Sequence, residues 1–189
     1  MRGKKEVGRV ETDEGVHPTT AEALAKLRPV TEGGTVSFGS QTHPADGNAG
    51  MIVTTEARAK ELSKDPNVRV QLLGFAEARV EPGMMPKAVV PAARRVLERT
   101  GVSLADVKAI KTHNPFAVND VLLARDFKLA PEAFNRFGSP LVYGHPQGPT
   151  GMRAVMELVE ELVQTGGGYG LFSGCAAGDT AMALVLKVS

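Results

Sequence analysis

Only one cysteine occurs among the 189 residues, Cys175. No internal disulfide can form, which fits a reducing compartment. The same scarcity has a chemical consequence: no second thiol is at hand to act as a nucleophile beside it. Net charge is nearly absent too, at +1 from 22 Lys and Arg against 21 Asp and Glu. The basic residues are interleaved with acids rather than clustered with aromatics, which argues against nucleic acid as a partner. No apolar run approaches the roughly 20 residues that span a bilayer, so no membrane partner is expected. The opening Met1-Arg2-Gly3-Lys4-Lys5-Glu6 has no apolar stretch behind its charges, so it does not read as a secretory signal. A cytoplasmic protein is expected. There is no repeat and no low-complexity tract. What remains is ordinary globular material, 42% hydrophobic and 23% charged, long enough to bury one large core.

Residues 1–17 are polar and read as an arm. Thr19-Thr20-Ala21-Glu22 resembles a capping box with Thr19 as N-cap, so a short helix is expected to run to Leu27 and stop before Pro29. The Gly-, Ser- and Thr-rich stretch that follows reads as turns around a strand at 35–38, and 50–55 reads as a buried strand. Helical composition covers 56–64. Residues 68–80, rich in Val, Leu and Phe, are expected to form a long strand. Helices are predicted over 86–99, 116–127, 131–137 and 150–165, with a helical turn at 103–107. Met152, Val155, Met156, Val159 and Leu162 are expected on the core face of the last helix. Strands are expected at 109–112, 169–172 and 181–188, the last two joined by a turn holding Cys175. The order β-α-β-α-β-β from Val68 onward points to an α/β fold, a mixed sheet with helices on both sides.

Two segments carry most of the chemistry. Gly144-His145-Pro146-Gln147-Gly148-Pro149-Thr150-Gly151 sets a histidine in a glycine-bounded turn leading into a helix N-terminus. Backbone N–H groups and the positive helix end there favour an anionic oxygen. A histidine in that place can donate to an oxyanion or take a proton from a thiol near neutral pH; the plainer reading is a loop histidine that caps a turn. Ser173-Gly174-Cys175-Ala176-Ala177-Gly178 holds the cysteine between glycines. A lone cysteine is most often buried and inert, but paired glycines at a strand end suggest a turn or a close ligand. His113 closes a short apolar run before Asn114-Pro115-Phe116, at a strand end where catalytic groups gather. A zinc site from His113, His145 and Cys175 lacks any short paired-ligand spacing, so no metal is expected. Gly166-Gly167-Gly168-Tyr169-Gly170 follows a helix and reads as a stop, not a phosphate loop.

Taken together, these motifs resemble the C-terminal half of a thiolase. The segment around His145 resembles the family's Gly-His-Pro motif, and Cys175 that of its closing Cys-x-Gly motif. Thr112-His113-Asn114-Pro115-Phe116-Ala117 resembles the Asn-Glu-Ala-Phe motif in the His form of the sterol-carrier type. Asp13-Glu14-Gly15 through Pro29 resembles the end of the family's loop domain, and Gly34-Thr35-Val36 through Asp46-Gly47 the entry to the last strand of its N-terminal domain. The match runs in order from about residue 8 to residue 189.

The resemblance implies a thiolase-like mixed five-stranded sheet covered by helices over residues 67–189. Residues 1–48 would end the loop domain, and the strand and helix of 49–66 would complete an N-terminal-type half. It implies coenzyme A and acyl-CoA as substrates, with no permanently bound cofactor. His145 would activate a nucleophilic cysteine and help hold the thioester oxyanion. Cys175 would be the acid/base at the substrate α-carbon. His113 would hold a water or donate to the oxyanion itself. Thr42 matches a serine that meets the pantetheine arm, and Gly178 is placed beside the ligand in the closing motif. Ala177 stands in place of the second motif's glycine, Asn114-Pro115 in place of Glu-Ala, and Val16 and Ala23 where Arg and Ser contacts to coenzyme A are frequent.

The resemblance begins about halfway along the family's usual length, and the nucleophilic half is not in it. A two-chain enzyme is therefore expected, in a hetero-oligomer such as a heterotetramer, with an N-terminal-type thiolase subunit bringing the nucleophilic cysteine. Two other readings stand beside it: a non-catalytic scaffold subunit of a thiolase-like complex, and an independent hydrolase using Cys175 and His145.

Overall fold

The computed structural model describes residues 6–12 and 15–189. Parts of the expected arm and of the segment starting at Asp13-Glu14, namely 1–5 and 13–14, lie outside the described residues. The chain order is α1 (Ala21–Ala25), α2 (Glu56–Leu62), β1 (Val70–Arg79), α3 (Val89–Thr100), β2 (Val107–His113), α4 (Ala117–Phe127), α5 (Pro140–Tyr143), α6 (Thr150–Gln164), β3 (Gly168–Ala176) and β4 (Thr180–Val188).

The sheet has four strands in the order β1-β4-β3-β2, with β2 parallel to β3 and the other two pairings antiparallel. Five were expected. The fifth place, beside β2, is taken by irregular backbone at 134–136. Asn135 N–H donates to Ile110 O at 3.0 Å. The Asn135 side-chain oxygen then accepts from Thr112 N–H at 2.9 Å, and Arg136 reaches Lys108 O at 2.8 Å. With φ at 55°, Asn135 leaves the extended region, so side chains satisfy the β2 edge where a strand would have used its backbone. The same kink ends the helix expected at 131–137, of which only the 3-10 turn Pro131–Ala133 forms.

Side-chain alternation along the strands builds two cores. Ala76, Ala78, Ile110, Leu171, Ala181, Ala183 and Val185 face α3 and α4. Ala109, Phe172, Leu186 and Val188 face α6 through Ala154, Val155, Leu158 and Leu162. Helix α3 buries Val89, Ala92, Ala93, Val96 and Leu97 on one stripe and stops at Gly101, which takes the left-handed conformation. Helices on both sides of a mixed sheet follow the sequence pattern.

Several details differ from expectation. Thr20, not Thr19, is the N-cap of α1, accepting from Ala23 N–H. Residues 35–38 form no strand; Ser37 only bridges to Pro29 before the 3-10 turn Phe38–Ser40. Residues 50–55 form neither a strand nor a buried segment: they pair with no strand, and Ile52 and Val53 are 75% and 73% exposed. Met152 and Met156 lie off the core stripe of α6 and are exposed, while Ala154 and Leu158 replace them. Cys175 sits inside β3 rather than in the turn, which begins after Ala176.

Candidate functional site

Strands β2 and β3 run parallel and end side by side, His113 opposite Gly174. Ligand sites gather at such carboxyl ends. A cavity of about 940 Å³ opens there, lined by Thr42, His43, His113, His145, Cys175 and Ala177 among others. The structure thus brings together three of the residues singled out from sequence, His113, His145 and Cys175, with Thr42 on the same wall. Gly178 does not line it; it lies in the β3–β4 turn, its carbonyl accepting from Arg79 Nε at 3.2 Å.

Close packing fixes this corner. A Cβ on Gly174 would come within 2.7 Å of His113 Cβ and 2.9 Å of the Phe172 ring, so only glycine lets the two strand ends approach. On the other side, residues 41–44 act as a clasp between two loops. Thr42 N–H donates to Pro115 O at 2.8 Å, and His145 N–H to His43 O at 2.8 Å. The Thr42 hydroxyl donates to Pro140 O at 2.5 Å. Its proton is committed, so toward a ligand Thr42 can only accept.

The two histidines stand with ring centroids 4.7 Å apart, and their hydrogen bonds assign different tautomers. His113 Nδ1 lies 3.0 Å from Cys175 O. A carbonyl only accepts, so Nδ1 carries the proton and Nε2 is a bare acceptor. That Nε2 is buried and has no partner. Burial, and then the neighbouring His145, push the His113 pKa down to about 4, so the ring stays neutral near pH 7. His145 Nδ1 lies 2.7 Å from Thr150 Oγ1. Thr150 is fully buried and its hydroxyl has no other partner among the described hydrogen bonds. Its proton therefore goes to Nδ1, leaving His145 Nε2 as a donor. Burial lowers the His145 pKa as well. Burial pushes the Cys175 thiol up, while the Asn119 amide opposes that rise.

Behind His113 lies a polar ring that sequence reading missed. Asp120 accepts from Thr112 Oγ1 at 2.7 Å and from Asn114 Nδ2 at 2.5 Å, one on each side of His113. Asn135 Nδ2 donates to Thr112 Oγ1 at 2.6 Å and to Asp120 at 3.3 Å. The end of β2 is clamped to the first turn of α4. The signal was Asn119-Asp120 inside an otherwise apolar helix start, where polar side chains need partners. Thr150 was equally legible, since a helix-entry hydroxyl five residues beyond His145 is within reach of its ring.

Chemically, the cavity offers a donor, an acceptor and a thiol. Among the described residues, no group of three or more His, Cys, Asp or Glu is placed to hold a metal ion. No helix of the described residues is long and apolar enough to cross a membrane.

Known proteins share much of this sequence and fold. Residues 66–188 match the family described as "Thiolase, C-terminal domain". An acetyl-CoA acetyltransferase of Syntrophomonas wolfei is 33% identical over 190 residues, covering 99% of this chain and 48% of its own length. A beta-ketoadipyl-CoA thiolase of Pseudomonas knackmussii is 34% identical, with 99% and 47% covered. The crystal structure of the Bacillus anthracis acetyl-CoA acetyltransferase superposes with a TM-score of 0.84 at 32% identity, over 98% of this chain and 48% of that one. The chain thus spans about half the length of the curated relatives it matches.

Proposed function

This chain belongs to the thiolase family, and from that premise we propose that it is the C-terminal-type subunit of a two-chain thiolase that cleaves or forms a 3-oxoacyl-CoA. The observation that carries the reading is the single cavity shared by His113, His145 and Cys175, with a donor, an acceptor and a thiol at one strand end. A companion chain supplies the nucleophilic cysteine, whose acylation gives a thioester facing these groups.

Each role follows from a proton position. His145 Nε2–H donates to the thioester oxygen as negative charge develops there. His113, a neutral acceptor at Nε2, holds a water whose second hydrogen points to the same oxygen, which favours the water-holding role over direct donation. In condensation, the Cys175 thiolate takes a proton from the α-carbon of acyl-CoA. The carbanion attacks the companion's acyl carbon and expels its thiolate. In cleavage the Cys175 thiol returns that proton to the departing carbon. Thr42 Oγ1 accepts from a pantetheine amide N–H.

Surface chemistry supports a companion. Helix α6 covers β2 and β3 but leaves Leu72 and Phe75 of β1 and Met182 of β4 exposed on the same sheet face. The unpaired 50–55 segment also exposes Met51, Ile52 and Val53, and apolar surface left uncovered in this way is what an interaction site offers. The 50–55 segment would add a strand to the companion's sheet.

The test is coenzyme A-dependent cleavage of a 3-oxoacyl-CoA by this chain mixed with an N-terminal-type thiolase chain. Turnover is expected from the mixture, and Cys175→Ser should abolish it while the companion is still acylated. Turnover that survives Cys175→Ser contradicts the acid/base role and favours a scaffold subunit. Thioester hydrolysis by this chain alone favours an independent hydrolase.

A further inference from the structure

A second polar cluster lies beside the cavity without lining it. Lys111 is 1% exposed on β2, two residues before His113 and so on the same face of the strand. Its Nζ donates to Gly138 O at 3.1 Å and to Glu157 Oε2 at 3.3 Å. Tyr143 closes α5, two residues before His145, and its hydroxyl donates to the same Glu157 oxygen at 2.8 Å. The other carboxylate oxygen accepts from Arg153 Nε at 3.1 Å, and the Arg153 guanidinium lies 3.6 Å from the centre of the Tyr143 ring. One carboxylate thus gathers donors from β2, α5 and α6.

Stability does not account for the arrangement. A buried lysine and its carboxylate both give up water, and such a pair adds little over apolar side chains of the same size. Position does account for it. Glu157 follows Thr150 by seven residues on α6, two turns along and on the same face. Thr150 holds the His145 ring. The helix therefore orients one imidazole from its first turn and, about 10 Å further on, ties together the segments leading into both. Helix α5 is held at each end: at its entry by Lys111 on Gly138 O, at its exit by Tyr143 on Glu157. Only Gly144 separates Tyr143 from His145.

We propose that Glu157 is a positioning residue that sets the spacing of His113 and His145, through Lys111 on one side and Tyr143 on the other. The proposal rests on the thiolase reading, in which the 4.7 Å between the rings aims the His145 donor and the water held by His113 at one oxygen. A shift of about an ångström in such a constellation is enough to slow the chemistry strongly.

The chain has four histidines, so the ring protons of His113 and His145 can be assigned by NMR, and the NOE between the two rings reads their spacing without turnover. Glu157→Leu is expected to weaken that NOE at least twofold. In the two-chain assay it should lower kcat about a hundredfold with little change in KM for coenzyme A. Glu157→Gln keeps one oxygen for both Lys111 and Tyr143 and should restore most of the lost kcat. A folded Glu157→Leu protein whose NOE or kcat matches that of the unaltered chain overturns the proposal. Should that variant fail to fold, Tyr143→Phe removes one tie, keeps the ring under Arg153 and should lower kcat about tenfold with a weaker NOE; no change in either overturns the proposal equally. A weakened NOE in a pair of chains that never supports cleavage would refute the thiolase reading alone.

Discussion

Gly174→Ala would set a methyl carbon 2.7 Å from Cβ of His113 and 2.9 Å from Cζ of Phe172. The optimum between carbon atoms is about 3.5–4.0 Å, so both contacts fall well inside it. Neither neighbour can swing away. The His113 Cβ is tied to β2, which is paired with β3 at this position. The Phe172 ring is buried against α6. Overpacking of this kind costs about 2 kcal/mol. With the urea dependence usual for small domains, the unfolding midpoint should fall by about 1 M. A double-mutant cycle identifies the cause. His113→Gly removes one of the two colliding atoms, so the pair should be less destabilised than the sum by about 1 kcal/mol. The same substitution pushes His113 away from Cys175 O, so its ring 15N signals should lose the Nδ1–H pattern. A Gly174→Ala protein with an unchanged midpoint, or a strictly additive double variant, would refute the claim that this glycine exists to let His113 approach.

Three further outcomes are expected. His113 has its pKa depressed in the fold to about 4, against about 6.5 unfolded. The unfolded chain therefore binds the proton first, and stability present above pH 6.5 is lost as pH falls toward 4. Urea unfolding should show about 2 kcal/mol lost at this group between pH 7 and pH 5, and His113→Gln should remove that part of the slope. Asp120→Ala strands Thr112 and Asn114 without their acceptor and should cost about 3 kcal/mol by the same method, whereas Thr112→Val with Asp120 intact should cost less. Thr42→Val removes the donor to Pro140 O and, in the two-chain assay, should raise KM for coenzyme A more than it lowers kcat; an unchanged KM would remove Thr42 from the ligand wall.

Sequence alone was sufficient where a local rule coincided with the tertiary need. Strands β1, β2 and β4 and helix α3 follow from apolar runs and breakers, and Gly101 marks the end of α3. His145 and Cys175 could be named because glycine-bounded motifs at element ends are unusual, and His113 because it closes an apolar strand run before Asn114-Pro115. What could not be read is set by contacts between distant segments. The absent fifth strand depends on the backbone twist at Asn135 and on side chains that satisfy the β2 edge. The exposed 50–55 segment looks like a strand because its residues are strand formers, yet a strand also needs a paired neighbour, and the segment pairs with none of the described strands. Met152 and Met156 belong to an apolar pattern that fits α6, but the face that β2 and β3 select is rotated toward Ala154 and Leu158. The tautomers of His113 and His145 depend on Cys175 O and Thr150 Oγ1, one of them 62 positions away in sequence. The clasp at 41–44 reaches loops far along the chain, Thr42 meeting Pro140 98 positions away.

The proposed division of labour between two sulfurs can be tested by labelling. With radiolabelled acetyl-CoA supplied to the assembled pair of chains and the reaction quenched in acid, the acetyl group should be recovered on the companion's cysteine, with Cys175 unlabelled. Acetyl recovered on Cys175 would make it the nucleophile and contradict the account.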